Sequence, residues 1–117
     1  MTYFRANVGG GGVNMASPDV VSKNTVSGSD SRSLTVTKKP RYVIVTAHAY
    51  SGTERLYTWI YDVNKNVYSY QSYYNGYSGN DNVAGLPACI TSVTSTSVTI
   101  KNPVSSQSMR MLTWIYY

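Results

Sequence analysis

Residues 38–61, KKPRYVIVTAHAYSGTERLYTWIY, restrict the fold more than any other stretch, because two successive runs alternate and one turn signal separates them. Along residues 41–50, Val43, Val45, Ala47 and Ala49 fall on one side of an extended chain, and Tyr42, Ile44, Thr46, His48 and Tyr50 on the other. Both sides carry apolar surface to be covered. Ser51-Gly52 interrupts the run, and from Arg55 onward Leu56, Thr58 and Ile60 alternate with Tyr57, Trp59 and Tyr61. The pattern predicts a β-hairpin with an aromatic stripe.

Composition extends this reading along the chain. There are 16 Ser, 14 Val, 12 Thr and 12 Tyr against six Ala, four Leu and one Glu, a balance that favours strands and turns and excludes an all-α protein. The length of 117 residues suits one domain with a real core. We expect a flexible Gly/Ser-rich arm over residues 1–32 and an all-β domain over residues 33–117. Charged residues are only 13% of the chain, so Ser, Thr, Asn, Gly and Tyr form much of the surface, which suits protein assemblies and sugar contacts. The net charge of +5 comes from scattered Lys and Arg, concentrated only at Lys38, Lys39 and Arg41. These read as solvated charge at a strand start, not as the dense basic face of a nucleic-acid binder. Cys89 is the single cysteine; a disulfide-stapled module is excluded, and neighbours Ala88 and Ile90 mark a buried, inert thiol. No apolar run approaches the roughly 20 residues that span a bilayer, and residues 1–5 lack the apolar core of a signal peptide. No membrane insertion is expected, and the chain is expected to fold in a cytoplasm.

Within the arm, the four glycines at 9–12 make a hinge or a close backbone approach. No GKS or GKT follows, and no strand-then-helix pattern surrounds them, so they are not a phosphate loop. Tyr3, Phe4 and Arg5 form an apolar tip on this tether, suited to docking on a neighbouring subunit. Val20 and Val21 begin a short strand. Residues 27–33, SGSDSRS, are a polar connection; Leu34 and Val36 then alternate with Thr35 and Thr37, and Pro40 ends that strand or holds it at an edge.

Beyond the central hairpin, a turn at residues 62–66 leads into VYSYQSYY, residues 67–74. Tyr68, Tyr70, Ser72 and Tyr74 share a face there and can pair across strands with Tyr57, Trp59 and Tyr61. The following YNGYSGNDN, residues 74–82, reads as an exposed polar loop. Tyr73, Tyr74, Asn75, Tyr77 and Asn80 are its candidate ligand or receptor contacts, since tyrosine offers an apolar face with a polar tip. An ordinary long hairpin connection is the competing reading. Residues 88–94 and 97–101 form a hairpin about Ser95-Thr96, with Ile90, Val98 and Ile100 as apolar positions and Asn102-Pro103 as the stop. The last strand alternates Met109, Met111, Thr113 and Ile115 with Arg110, Leu112, Trp114 and Tyr116, and is expected to tie the chain's end into the sheet. Trp114 and Tyr116 join Tyr3, Phe4 and Arg5 as candidate assembly contacts. Thr-Trp-Ile-Tyr occurs at 58–61 and at 113–116; the flanks differ, so this is a repeated packing solution and not a duplicated module.

Nothing marks a catalytic centre. His48 is the only histidine and Cys89 the only cysteine, too few ligands for a zinc site of those types. No sequence feature brings together two of Asp19, Asp30, Glu54, Asp62 and Asp81, and no serine is marked as a nucleophile. No catalytic residue, metal site or cofactor is expected. Binding remains, in two forms. Aromatic side chains interleaved with Arg41, Arg55 and Lys65 suit single-stranded nucleic acid on a small barrel, and the same tyrosines beside Asn and Asp suit a sugar.

The motifs LTVTKKPRYVIVTA (34–47), WIYD (59–62), ITSVTSTSVTIKNP (90–103) and the terminal LTWIYY resemble small virion proteins and fibre-like C-terminal domains of phages and prophages of Gram-positive bacteria. The likeness runs from Leu34 to the end. It implies an antiparallel β-sandwich, jelly-roll-like with an extended N-terminal arm. It further implies a homotrimer that projects from the virion as a tail-fibre tip, head fibre or decoration protein, touching other virion proteins and a host-surface glycan. The family has no shared catalytic residues to carry over, and the long repetitive shaft of many such fibres is missing, which favours a short accessory or adaptor made in the bacterial cytoplasm. The residues agree with assembly: a central strand apolar on both sides has more surface to cover than one small sheet provides. The expectation is therefore a non-enzymatic virion structural or receptor-contacting protein. A monomeric carbohydrate-binding module and a nucleic-acid-binding barrel are the alternatives, and nucleic acid is not the favoured partner.

Overall fold

A computed structural model describes residues 5–6, 13–14, 18–27, 30–49, 55–74, 77–103 and 108–117, with backbone alone at 5–6, 13–14, 73–74 and 77–82. Its regular elements are strands: β1 (Arg5–Ala6), β2 (Val13–Asn14), β3 (Val20–Ser27), β4 (Ser31–Thr35), β5 (Tyr42–Ala49), β6 (Arg55–Asp62), β7 (Val67–Tyr74), β8 (Tyr77–Ala84), β9 (Ile90–Val93), β10 (Ser97–Lys101) and β11 (Ser108–Tyr116). Six form one antiparallel sheet in the order β3-β11-β5-β6-β7-β8, three form a second in the order β4-β10-β9, and β1 pairs with β2 alone. The two larger sheets pack face to face around one core, so the fold is an antiparallel β-sandwich. β5 to β8 follow one another as a plain meander; the chain changes sheets between β3 and β4, β4 and β5, β8 and β9, and β10 and β11.

The alternation read in the sequence sets the core. Val43, Val45, Ala47 and Ala49 of β5 face inward and are buried, as are Met109, Met111, Thr113 and Ile115 of the adjacent β11. Sizes are matched across that pair: Ala49 stands beside Met109, and Ala47 between Met111 and Tyr57, so small side chains leave room for large ones at interior packing density. The three-stranded sheet supplies Leu34, Ile90, Val98 and Ile100, with Val36 and Cys89 from its connections. Three strands cannot cover six, and aromatic rings fill part of the difference. Tyr57 stacks on Trp59 at 5.4 Å, and Trp59 meets its cross-strand partner Tyr70 at 5.6 Å, contacts worth roughly 0.5–1.5 kcal/mol each beyond their buried area.

Two sequence expectations are corrected here. The arm expected over residues 1–32 does not reach that far: Val20–Ser27 is a full strand paired with β11, and Ser31–Thr35 is paired with β10. The cause is β11, whose second hydrogen-bonding edge would be left open without β3. Residues 77–82, expected as loop, belong to β8, which pairs with β7 from Tyr74 opposite Tyr77 to Val67 opposite Ala84. Only residues 75–76, outside the described residues, join the two strands; Asn-Gly is the strongest short hairpin signal and outweighs the polar composition around it. At the preceding turn, between β6 and β7, Asn66 takes φ 54°, a left-handed position that asparagine tolerates, and its side chain accepts the Tyr61 hydroxyl at 2.7 Å.

The chain's end is tied in, as expected. The Arg41 N–H donates to the Tyr116 carbonyl at 2.7 Å, the Asp19 N–H to the Ile115 carbonyl at 2.8 Å, and the Tyr117 N–H to the Asp19 carboxylate at 2.8 Å. In the core, Asn102 Nδ2 donates to the Val26 carbonyl at 3.1 Å, whereas the buried Thr113 hydroxyl has no partner among the described residues. An unsatisfied buried hydroxyl costs about 1–3 kcal/mol. Thr113→Val is therefore expected to raise unfolding stability by about 1 kcal/mol, and Ile115→Ala to lower it by roughly 2–5 kcal/mol. Urea titrations followed by tryptophan fluorescence check both; a Thr113→Val variant less stable than the parent would contradict this reading of the core.

Candidate functional site

The face of the six-stranded sheet turned away from the core holds the site. Cross-strand partners share a face, so the register of β3, β11, β5 and β6 arranges the outward side chains in rows. The first row is Thr25, Arg110, His48 and Leu56; the second is Lys23, Leu112, Thr46 and Thr58. The third is Val21, Trp114, Ile44 and Ile60, and the fourth brings Tyr116, Tyr42 and Asp62 together.

The first two rows line a groove of about 590 Å³, within the usual size of a small-ligand site. Lys23 and Arg110 are exposed and His48 is half-buried. Its floor is Leu112 with the hydroxyls of Thr46 and Thr58, and Asp and Glu are absent from its described lining. The last two rows differ in character. Ile44 and Tyr116 are buried within a small second cluster, against half-buried Tyr42, Ile60 and Trp114. The outer face thus sets basic and hydroxyl groups among exposed Leu56 and half-buried Leu112 at one end, and is aromatic and aliphatic at the other.

The candidate residues from sequence distribute over this frame. Tyr73 lies at the register position opposite Leu56, and Asn80 opposite Gln71, the partner of Thr58; their backbone continues the two groove rows. Tyr74 and Tyr77 face each other across the end of the β7–β8 hairpin, and Asn75 lies outside the described residues. Of the assembly candidates, Trp114 is half-buried on the outer face, while Tyr116 is only 3% exposed and spends its ring within the chain's own small second cluster. Arg5 stands opposite Asn14 in the short β1–β2 ladder, and Tyr3 and Phe4 lie outside the described residues.

The aromatic stripe offered for stacking on bases or sugars is a core feature: Trp59 is buried and Tyr57 and Tyr70 pack on it. Arg41, Arg55 and Lys65 do not converge either. Arg55 opens β6, whereas Lys65 follows its far end beside Arg41, a separation near the length of the strand, roughly 24 Å. Asp62 accepts the Lys65 N–H at 3.2 Å, an ordinary turn role. Among the described residues no three His, Cys, Asp or Glu side chains come together to hold a metal, and no helix is long and apolar enough to cross a membrane. Sequence reasoning missed Lys23 and the joining of His48 with Arg110. The face of Arg110, Leu112 and Trp114 was legible, but the insertion of β11 between β3 and β5 was not. No protein-family model, curated protein or solved structure matches the chain.

Among the described residues three titratable groups are shifted, each mainly by burial. Burial pushes the Cys89 thiol well above its ordinary value of 9.0. Burial raises Tyr116, and burial followed by the Asp62 charge raises Tyr61. All three are held neutral by folding. Their contribution is complete below the unfolded-state values and is lost as the pH rises through the folded ones, because the unfolded chain releases protons first. Stability is therefore expected to fall as the pH rises above about 9, with a shallower fall in Cys89→Ala, as measured by denaturant titration at stepped pH. Native protein at pH 8 should leave a thiol reagent unreacted until denaturant is added; rapid labelling in the native state would overturn the buried assignment.

Proposed function

We propose that this chain is a non-enzymatic structural protein of a virion. It is a short accessory of the fibre-tip, head-fibre or decoration kind that works as a closed homo-oligomer, with a trimer as the expected state. In this reading it docks on other virion proteins and contacts a host-surface glycan. The observation that carries the assembly is the aromatic and aliphatic half of the outer sheet face. The three-stranded sheet packs on the opposite face, and Trp114, Ile60 and Tyr42 are left half-buried beside Val21, which is 53% exposed. Contiguous apolar surface of this kind marks a protein contact, and symmetric closure is the common way to cover it. The low charge content of 13% fits a surface that meets other protein.

Light scattering on a sizing column tests the proposal. The parent protein is expected at a small multiple of 12.9 kDa, and the double variant Val21→Lys, Trp114→Ala, checked for folding by circular dichroism, at the mass of one chain. Deleting residues 1–12 measures the contribution of the arm. A parent protein that stays monomeric at high concentration rejects assembly.

A further inference from the structure

We infer that the groove at the basic end of the outer sheet face binds an acidic oligosaccharide, its sugar rings bearing carboxylate or sulfate groups. The inference rests on the glycan-contacting part of the proposed function and is independent of assembly. Four features carry it. Lys23 and Arg110 stand exposed at the groove with the imidazole of His48 beside Arg110, and the described lining contains no carboxylate to oppose an anion. The three basic side chains come from three adjacent strands, β3, β11 and β5, so the sheet itself holds their spacing. Thr46 and Thr58, neighbours in one row, place hydroxyls where ring hydroxyls need partners, and Leu112 beside Thr46 offers aliphatic surface to the C–H face of a sugar. The groove crosses from β3 to β6, three strand spacings or roughly 14 Å, long enough for several rings in a row.

Nucleic acid fits less well. Single strands are held chiefly by bases stacked on aromatic faces, and Tyr57, although beside the groove, stacks on buried Trp59 at 5.4 Å. Apart from Tyr57 and the imidazole of His48, the described lining offers polar, basic and aliphatic groups in place of ring faces. Guanidinium and ammonium groups suit carboxylate and sulfate oxygens through charge-assisted hydrogen bonds, and a site so exposed weakens with salt.

The test uses the full chain with four probes: tetragalacturonate, a sulfated heparin tetrasaccharide, neutral maltotetraose and a twelve-residue oligothymidylate, each titrated by calorimetry at low salt. Saturable binding of at least one acidic tetrasaccharide is expected, with amide NMR shifts at Thr46, His48 and Thr58. Arg110→Gln and Lys23→Gln should each raise Kd roughly tenfold, while Lys101→Gln, the same charge change on the other sheet, should leave it unaltered. Maltotetraose should bind at least about tenfold more weakly than the acidic probe. The inference is overturned if neither acidic sugar binds, if maltotetraose binds equally well, if Lys101→Gln matches Arg110→Gln, or if the oligothymidylate binds more tightly. A monomer that binds tetragalacturonate through Arg110 upholds this inference while rejecting assembly. An oligomer indifferent to both acidic sugars does the reverse.

Discussion

The pairing of β11 along both of its edges is the interaction on which the rest of the structure depends. It is bonded to β3 on one side and to β5 on the other, and its inward residues Met109, Met111 and Ile115 are at the centre of the core. Without it the six-stranded sheet separates into an isolated β3 and the β5–β8 meander. The pairing is also the most distant in sequence, since Asp19 and Tyr117 meet across 98 positions. Closing such a loop costs entropy that grows only slowly with length, but it delays folding, because the reward comes after the closure. The meander, built from neighbouring strands, is the natural part to form first.

The central hairpin was legible because everything that defines it is local. Val43, Val45, Ala47 and Ala49 alternate against a second apolar side, and Trp59 and Tyr70 meet through one short turn. Three other features were not legible, each for a physical reason. β3 reads VVSKNTVS; Val20 and Val21 marked its start but not its length, because Ser22 and Asn24 take inward positions at the sheet margin, joined by a hydrogen bond of 2.9 Å, and no hydrophobic alternation signals the full strand. β8 is polar because it is a margin strand as well, and pairing with β7 holds it in place of its own composition. The groove needs Lys23, His48 and Arg110 brought together from three remote segments, and only the long-range register of β11 does that.

The inequality of the two sheets explains why an outer face exists to be used. A three-stranded sheet covers one side of a six-stranded one incompletely, and none of the described residues provides a matching layer on the other side. That face then divides along the strand direction, with Ile44, Ile60 and Trp114 toward one end and Lys23, His48 and Arg110 toward the other. A protein contact at the first end leaves the second open, so the two proposed activities do not compete for the same side chains.

The two margins of the large sheet have a further consequence. β3 carries Lys23 and Asn24 in its middle, and β8 carries Gly79, Asn80, Asp81 and Asn82. Two charges, a glycine and three amides make poor templates for another strand. Adding strands edge to edge, the mode that grows without limit into cross-β filaments, is discouraged on both sides, while the broad face stays available. In the proposed assembly this leaves the broad face as the place where copies of the chain meet, and because geometry limits the number of such contacts, a bounded particle is the product.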